Sequence, residues 1–166
     1  VQFSALTALT FWDMPMRHEA NSVWLTPTML VVLTKLVRDE QQTGWTRQHL
    51  KHVFVGTAPL PSMTKAQFEE AFGVHCLESY GMTEQQIISV NLPGAEMAQS
   101  VGKLLPGIEV VIREDGVWIN SPYAFQGYHG SDHRQQKAWF NTGDLGYVDH
   151  DCLFVNGRRK DLIIHG

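Results

Sequence analysis

Tyr80-Gly81-Met82-Thr83-Glu84 sets an aromatic ring, a glycine, a hydroxyl and a carboxylate close together, just after the apolar run Val74-His75-Cys76-Leu77. A carboxylate such as Glu84 at the end of a strand can hold Mg2+, a hard cation that takes oxygen ligands and shares its shell with substrate phosphates. The Thr83 hydroxyl and the neighbouring backbone N–H groups suit a phosphate oxygen. The face of Tyr80 suits a purine or the wall of a pocket. The same residues also fit an ordinary turn, with Thr83 as a cap, Glu84 as a solvated acid and Tyr80 in the core.

Two further clusters can do related chemistry. In Asn141-Thr142-Gly143-Asp144-Leu145-Gly146, an aspartate on a tight turn can accept hydrogen bonds from two adjacent hydroxyls, as a ribose cis-diol presents them; an Asx-type turn is the structural alternative. In Gly157-Arg158-Arg159-Lys160-Asp161, Arg158 can pair with phosphate or ribose oxygens, or the run can be a basic solvated loop. The eight histidines fall in no ligand spacing. A GxSxG elbow and a Walker-type GxxxxGK[ST] loop are both absent, and Ser79 has no evident partner base.

The elements that must position these residues are legible in outline. Thr26 as N-cap and Pro27 at the first helical position open a helix over TPTMLVVLTKLVRDEQQTG, with Leu30, Leu33 and Val37 at helical spacing and Gly44 as its stop. HVFV, residues 52–55, reads as a buried strand leading into the loop GTAPLP. A second helix is expected from about Ser62 to Phe72, closed by Gly73, and VHCLE forms the next strand. Strand–helix–strand with short connections implies a parallel layer whose ligands gather at the carboxyl ends of strands.

Beyond about residue 100 the pattern becomes antiparallel. GIEVVIREDGVWIN holds two β-rich runs joined at Asp115-Gly116, and YVDHDCLFV holds two more around a polar turn. Residues 131–139 suit a short helix. The expected fold is therefore α/β: a partial parallel-sheet subdomain over 1–95, then a small antiparallel, β-barrel-like subdomain over 101–160. NLPGAEMAQS is the linker between them.

Composition narrows the function further. With 166 residues and 43% hydrophobic content the chain can bury a core. Thirteen Lys and Arg against seventeen Asp and Glu give a net charge of −4 with no basic block, which argues against nucleic acid as a partner. Cys76 and Cys152 form no paired motif and suit a reducing, cytoplasmic setting. No apolar run approaches the roughly 20 residues of a membrane span. The N-terminus VQFSALTALTFWD has neither an initiator Met nor the basic region of a signal peptide, so the chain reads as the middle of a protein.

In their order and spacing, these clusters resemble the acyl-adenylate-forming (AMP-binding) enzymes, above all the acyl-CoA synthetases and fatty-acyl-AMP ligases. GTAPLP resembles the family's adenine-side loop and ESYGMTE its Tyr-Gly-x-Thr-Glu motif. SVGKLLPGIEVVI resembles the entry to the small barrel, SPYAFQGY the run ending in Gly-Tyr, WFNTGDLGYVD the Thr-Gly-Asp motif and GRRKDLIIHG the hinge motif.

The resemblance implies that Gly56, Thr57, Ala58 and Pro59 line the adenine, and that Tyr80 stacks on it. Gly81, Met82 and Thr83 complete the nucleotide-binding turn, with Thr83 at the phosphate and Glu84 as the Mg2+ ligand; Thr83 and Glu84 carry the catalytic roles. Asp144 takes the ribose hydroxyls, Arg158 assists at ribose or phosphate, and Lys160 sits at the hinge, with 161–166 beginning the passage to a C-terminal domain. The implied reaction joins a carboxylic acid to ATP, giving acyl-AMP, and then passes the acyl group to CoA or to the phosphopantetheine of an acyl carrier protein, as in fatty acid metabolism.

The family's Gly-rich phosphate loop and its catalytic lysine belong to segments outside residues 1–166. The chain is therefore expected to be a fragment of the large N-terminal domain ending at the hinge, inactive alone. The alternative is a naturally short, catalytically dead nucleotide- or protein-binding module of the same fold. Val117 stands where many members have Glu, and Leu162 where amino-acid-activating members have Gln.

Overall fold

A computed structural model describes residues 8–37, 40–94, 97–130 and 139–161. The chain divides into two compact units, Val1–Glu78 and Ser79–Gly166. The break falls inside a strand, whereas the change in sequence pattern lies near residue 95.

In the first unit a short helix α1 (Asp13–Arg17) precedes β1 (Ser22–Leu25), α2 (Pro27–Lys35), α3 (Glu40–His49), β2 (His52–Val55), α4 (Ser62–Phe72) and β3 (Cys76–Met82). β1, β2 and the first half of β3 are parallel, with Val23 opposite Val53 and Val53 opposite Cys76. Alternation in the strands turns Leu25, Val53, Val55 and Cys76 into one core, which Leu30 and Leu33 of α2 and Phe68 and Phe72 of α4 complete. The buried Thr46 hydroxyl donates to the Phe72 carbonyl at 2.9 Å, tying α3 to the last turn of α4.

The local signals for α2 and α4 hold. The Thr26 hydroxyl accepts the Met29 N–H at 3.3 Å, Pro27 occupies the first turn, and Gly73 closes α4 in the left-handed region at φ 65°. The expected stop at Gly44 does not hold. α2 ends where the Leu36 N–H bonds back to the Val32 and Leu33 carbonyls, and Gly44 lies within α3. A hydrogen at that position costs about 1 kcal/mol relative to alanine, which neighbouring helical residues tolerate.

The second unit is antiparallel. From the second half of β3 the ladders run through β4 (Gln86–Val90), β5 (Lys103–Leu104), β9 (Cys152–Arg158), β8 (Phe140–Asp149) and β7 (Gly116–Asn120) to β6 (Glu109–Arg113). Ile88, Ile108, Val117, Ile119 and Leu153 form its core, with Tyr80 and Met82 packed against it. Among the described residues no ladder joins β6 back to β3, so the strands form an open run rather than a closed barrel.

Both expected hairpins form, one of them displaced by a residue. Arg113 pairs with Gly116, so the corner is Glu114-Asp115, both at positive φ, and Gly116 is already in β7. Asp149 pairs with Cys152 around His150-Asp151, again both at positive φ. This is the backbone of the two-residue hairpin turns whose twist matches the strands. The helix expected over 131–139 lies outside the described residues except for Trp139, as do positions 162–166. At Gly146 of β8 an added Cβ would meet the Phe154 carbonyl oxygen at 2.1 Å, so only glycine fits there.

Candidate functional site

Asp144 lies inside β8 rather than on a free turn. Its strand is kinked locally: Asn141 Oδ1 accepts the Gly143 N–H at 2.9 Å, and the Thr142 hydroxyl accepts the Asp144 N–H at 3.0 Å. Thr142 is buried and donates its own proton to the Val117 carbonyl at 2.9 Å. The Asx-type turn and the positioned aspartate are thus the same structure, because the turn's hydrogen bonds fix the backbone that carries the carboxylate.

Across the β8–β9 ladder Asp144 stands directly opposite Arg158. Arg158 Nε donates to Asp144 Oδ1 at 2.9 Å, with 47% of the arginine side chain and 6% of the aspartate's exposed. The Tyr80 hydroxyl donates to Oδ2 at 2.5 Å, spanning 64 residues of sequence. Burial, then the hydrogen bond to Asp144 and that residue's negative charge, pushes the Tyr80 phenol well above its ordinary pKa. Tyr80 is therefore a neutral donor throughout the physiological range.

The second group of motif residues surrounds the β3–β4 corner. Tyr80, Gly81 and Met82 belong to β3 itself, beside a register shift between Tyr80 and Gly81, and Thr83-Glu84-Gln85 make the turn. Gly81 is required by close approach: an added Cβ would lie 2.4 Å from the Gln86 carbonyl oxygen. Thr83 is exposed and Glu84 half-buried. Tyr128 donates its hydroxyl to Glu84 Oε1 at 2.6 Å, and the Phe125 N–H donates to the Glu84 carbonyl at 2.9 Å. Hydrogen bonding to the Glu84 carboxylate raises the Tyr128 phenol above its usual pKa.

Among the described residues no group of three or more His, Cys, Asp or Glu is placed to hold a metal ion. The donor chemistry at Glu84 nevertheless fits magnesium, which is commonly bound by one or two carboxylates and the phosphates of its substrate. Oε1 is engaged by Tyr128, which leaves Oε2 for a cation. Beside Glu84, Gln85 is buried and its amide oxygen has no hydrogen-bond partner.

Thr142, Gly143, Arg158, Arg159 and Lys160 line an open cavity of about 380 Å3. Arg158 answers Asp144, and an Arg159 guanidinium nitrogen donates to the Glu114 carbonyl. Lys160 is exposed beside Arg158 and Arg159, so this cavity presents positive charge to an anion. Gly56, Thr57, Ala58 and Pro59 follow β2 in the first unit. Gly56 is buried and donates its N–H to Leu25 O at 3.3 Å, while Thr57 holds φ 78°, an uncommon conformation for a residue with a β-branched side chain.

The structure brings together Tyr80, Asp144 and Arg158, and separately Glu84 with its turn. Sequence reasoning left Thr142 and Tyr128 without roles, although both stand inside quoted motifs. Thr142 meets Asp144 through a bond two residues apart, but its anchor at Val117 and the reach of Tyr128 to Glu84 come from long-range folding, which no local spacing displays.

The chain matches the model of the AMP-binding enzyme family over residues 2–129. It is 31% identical over 156 residues to 2-succinylbenzoate–CoA ligase of Lactococcus lactis, covering 88% of this chain and 32% of that protein. It is 32% identical over 181 residues to oxalate–CoA ligase of Arabidopsis thaliana, covering 96% of this chain and 34% of the relative. The structure of O-succinylbenzoate coenzyme A synthetase from Bacillus subtilis in complex with ATP and magnesium ion superimposes with a TM-score of 0.74 at 29% identity. That match covers 99% of this chain and 36% of the synthetase. The chain thus spans about a third of the length of the relatives it matches. No helix among the described residues is long and apolar enough to cross a membrane. With its mixed α/β architecture, its ordered motifs and a family match over most of its length, this chain belongs to the AMP-binding enzyme family.

Proposed function

We propose that this chain is the part of an ATP-dependent carboxylate-activating ligase that holds the adenosine and magnesium side of the nucleotide. In the reaction a substrate carboxylate oxygen attacks the α-phosphorus of ATP, the bond to the β-phosphate oxygen breaks, and acyl-AMP and pyrophosphate result. The thiol of CoA, or of a carrier protein's phosphopantetheine, then attacks the acyl carbon and expels AMP.

The observation that carries this reading is the convergence of Tyr80 and Arg158, motif residues from two other strands, on the Asp144 carboxylate. Asp144 accepts the ribose hydroxyls. Arg158, half-exposed at the cavity, offers its remaining donors to ribose or phosphate oxygens. Gly56, Thr57, Ala58 and Pro59 border the adenine, with the Tyr80 ring against its face. Gly81 and Met82 set the turn that presents Thr83 to a phosphate and Glu84 to magnesium. A bound magnesium ion supplies charge neutralisation at the phosphates. Lys160 stands at the start of the hinge. The names of the two relatives described above, both CoA ligases, and the ATP and magnesium in a similar structure support the same assignment.

Calorimetric titration of the chain with AMP, and with ATP in the presence and absence of magnesium, tests it. Saturable AMP binding that Asp144→Ala weakens but leaves measurable, and magnesium-dependent ATP binding that Glu84→Ala weakens, are the expected results. Absence of heat from a folded parent chain, or binding indifferent to both substitutions, overturns the assignment.

A further inference from the structure

The Tyr80 side chain has two parts, and only the ring is used by the function proposed above. Its hydroxyl reaches Asp144 Oδ2 while Arg158 holds Oδ1. The backbone of the same aspartate is pinned through Thr142 to the Val117 carbonyl. We propose that the Tyr80 hydroxyl is a positioning group that holds the Asp144 carboxylate in the orientation that accepts a ribose cis-diol, so that one tyrosine serves the nucleotide through both ring and hydroxyl. The proposal rests on the reading of Asp144 as the ribose acceptor.

Three features separate Tyr80 from an incidental neighbour. First, an ionised carboxylate offers about four acceptor positions. Tyr80 and Arg158 occupy one on each oxygen, leaving one on each for the two donors of a cis-diol. Second, the two anchors differ in permanence. Arg158 is 47% exposed and can be drawn toward a phosphate, whereas Tyr80 packs against the Ile88, Ile108, Val117, Ile119 and Leu153 core and stays with Asp144. Third, the register shift at Tyr80/Gly81 is the kind of strand irregularity that re-aims a side chain beside a functional site. The phenol donates its proton to Oδ2 and leaves the carboxylate's remaining acceptor positions to the diol.

Tyr80→Phe keeps the ring and removes only the hydroxyl. Calorimetry compares parent and variant with AMP and with 2′,3′-dideoxyadenosine 5′-monophosphate, which lacks the diol. The expected result is a loss of roughly five- to tenfold in AMP affinity with less than a twofold change for the dideoxy nucleotide. In an Asp144→Ala background the same tyrosine substitution is expected to change AMP affinity by less than twofold, because the group it acts through is gone. Equal losses for both nucleotides, or no loss for AMP, overturn the proposal while leaving the nucleotide site intact. A parent chain that binds the two nucleotides equally, or binds neither, overturns the ribose reading and this proposal together. Thermal melting of Tyr80→Phe sets the temperature of the titrations, which are run below the variant's unfolding onset so that both nucleotides meet folded protein.

Discussion

The Tyr128 hydroxyl donates to Glu84 Oε1 at 2.6 Å across 44 residues of sequence, and the Phe125 N–H donates to the Glu84 carbonyl at 2.9 Å. The Ser121–Tyr128 segment therefore clasps the turn that carries the carboxylate from both its side chain and its backbone. The Phe125 and Tyr128 rings meet edge to face at 4.9 Å, which stiffens the clasp.

Tyr128→Phe keeps that ring contact and removes the hydroxyl bond. Because Tyr128 is 62% exposed, global stability should hardly change. Hydrogen exchange at the amides of residues 83–85 should accelerate several-fold, and only there. Unchanged exchange in that turn would show that the backbone bond alone holds it.

Gly81→Ala tests the close approach at the β3–β4 corner. The new methyl group would press on the Gln86 carbonyl oxygen at 2.4 Å and the Ile87 Cα at 3.0 Å, both backbone atoms. Overpacking of this kind costs about 1–3 kcal/mol. Urea denaturation should show that loss, together with weaker AMP binding, because the same corner carries Tyr80 and Glu84. An alanine variant as stable as the parent would mean the corner opens freely.

The Glu114-Asp115 corner offers the opposite experiment. Both residues hold positive φ, at 48° and 60°, where asparagine and glycine are at ease. Replacing the pair by Asn-Gly should stabilise the chain by roughly 0.5–1 kcal/mol. The Arg159 contact is made to the Glu114 carbonyl and survives the exchange. A fall in the urea midpoint would refute the turn assignment.

Alkaline pH should destabilise the chain through Cys76. Burial, then the Glu69 carboxylate, pushes its thiol from 9.0 up to about 12. The folded state keeps a proton that the unfolded chain releases above pH 9, so stability is fully present below that value and declines between pH 9 and about 12. Tyr80, raised for its own reasons, adds loss above pH 10. Urea midpoints at pH 8, 9.5 and 11 should fall in order, and Cys76→Ala should flatten the decline. A pH-independent midpoint would contradict both shifts.

Where the sequence was legible, the signal was local. Thr26 with Pro27 marked one helix start and Gly73 one helix end, since capping is decided within a turn of the chain. The Asp115-Gly116 pair located its hairpin but not its corner: the glycine went into β7, where an added Cβ would sit 3.1 Å from the Arg113 carbonyl. β1 is four residues long with only Leu25 buried, too short for its pattern to stand out. The site was legible as residue types through family resemblance. Its bonding was not, because Asp144 meets Arg158 by strand register and Tyr80 by the fold of the whole second unit.

The alternation along β8 buries Thr142, Asp144 and Gly146 and exposes Asn141, Gly143 and Tyr147. A slip of one residue against β9 would turn Asp144 to the other face and offer Leu145 or Tyr147 where Gly146 passes the Phe154 carbonyl. Neither side chain fits that gap, so a misaligned strand cannot close. The bare glycine two residues along thus acts as a proofreader for the carboxylate: a chain that folds at all folds with Asp144 facing Tyr80.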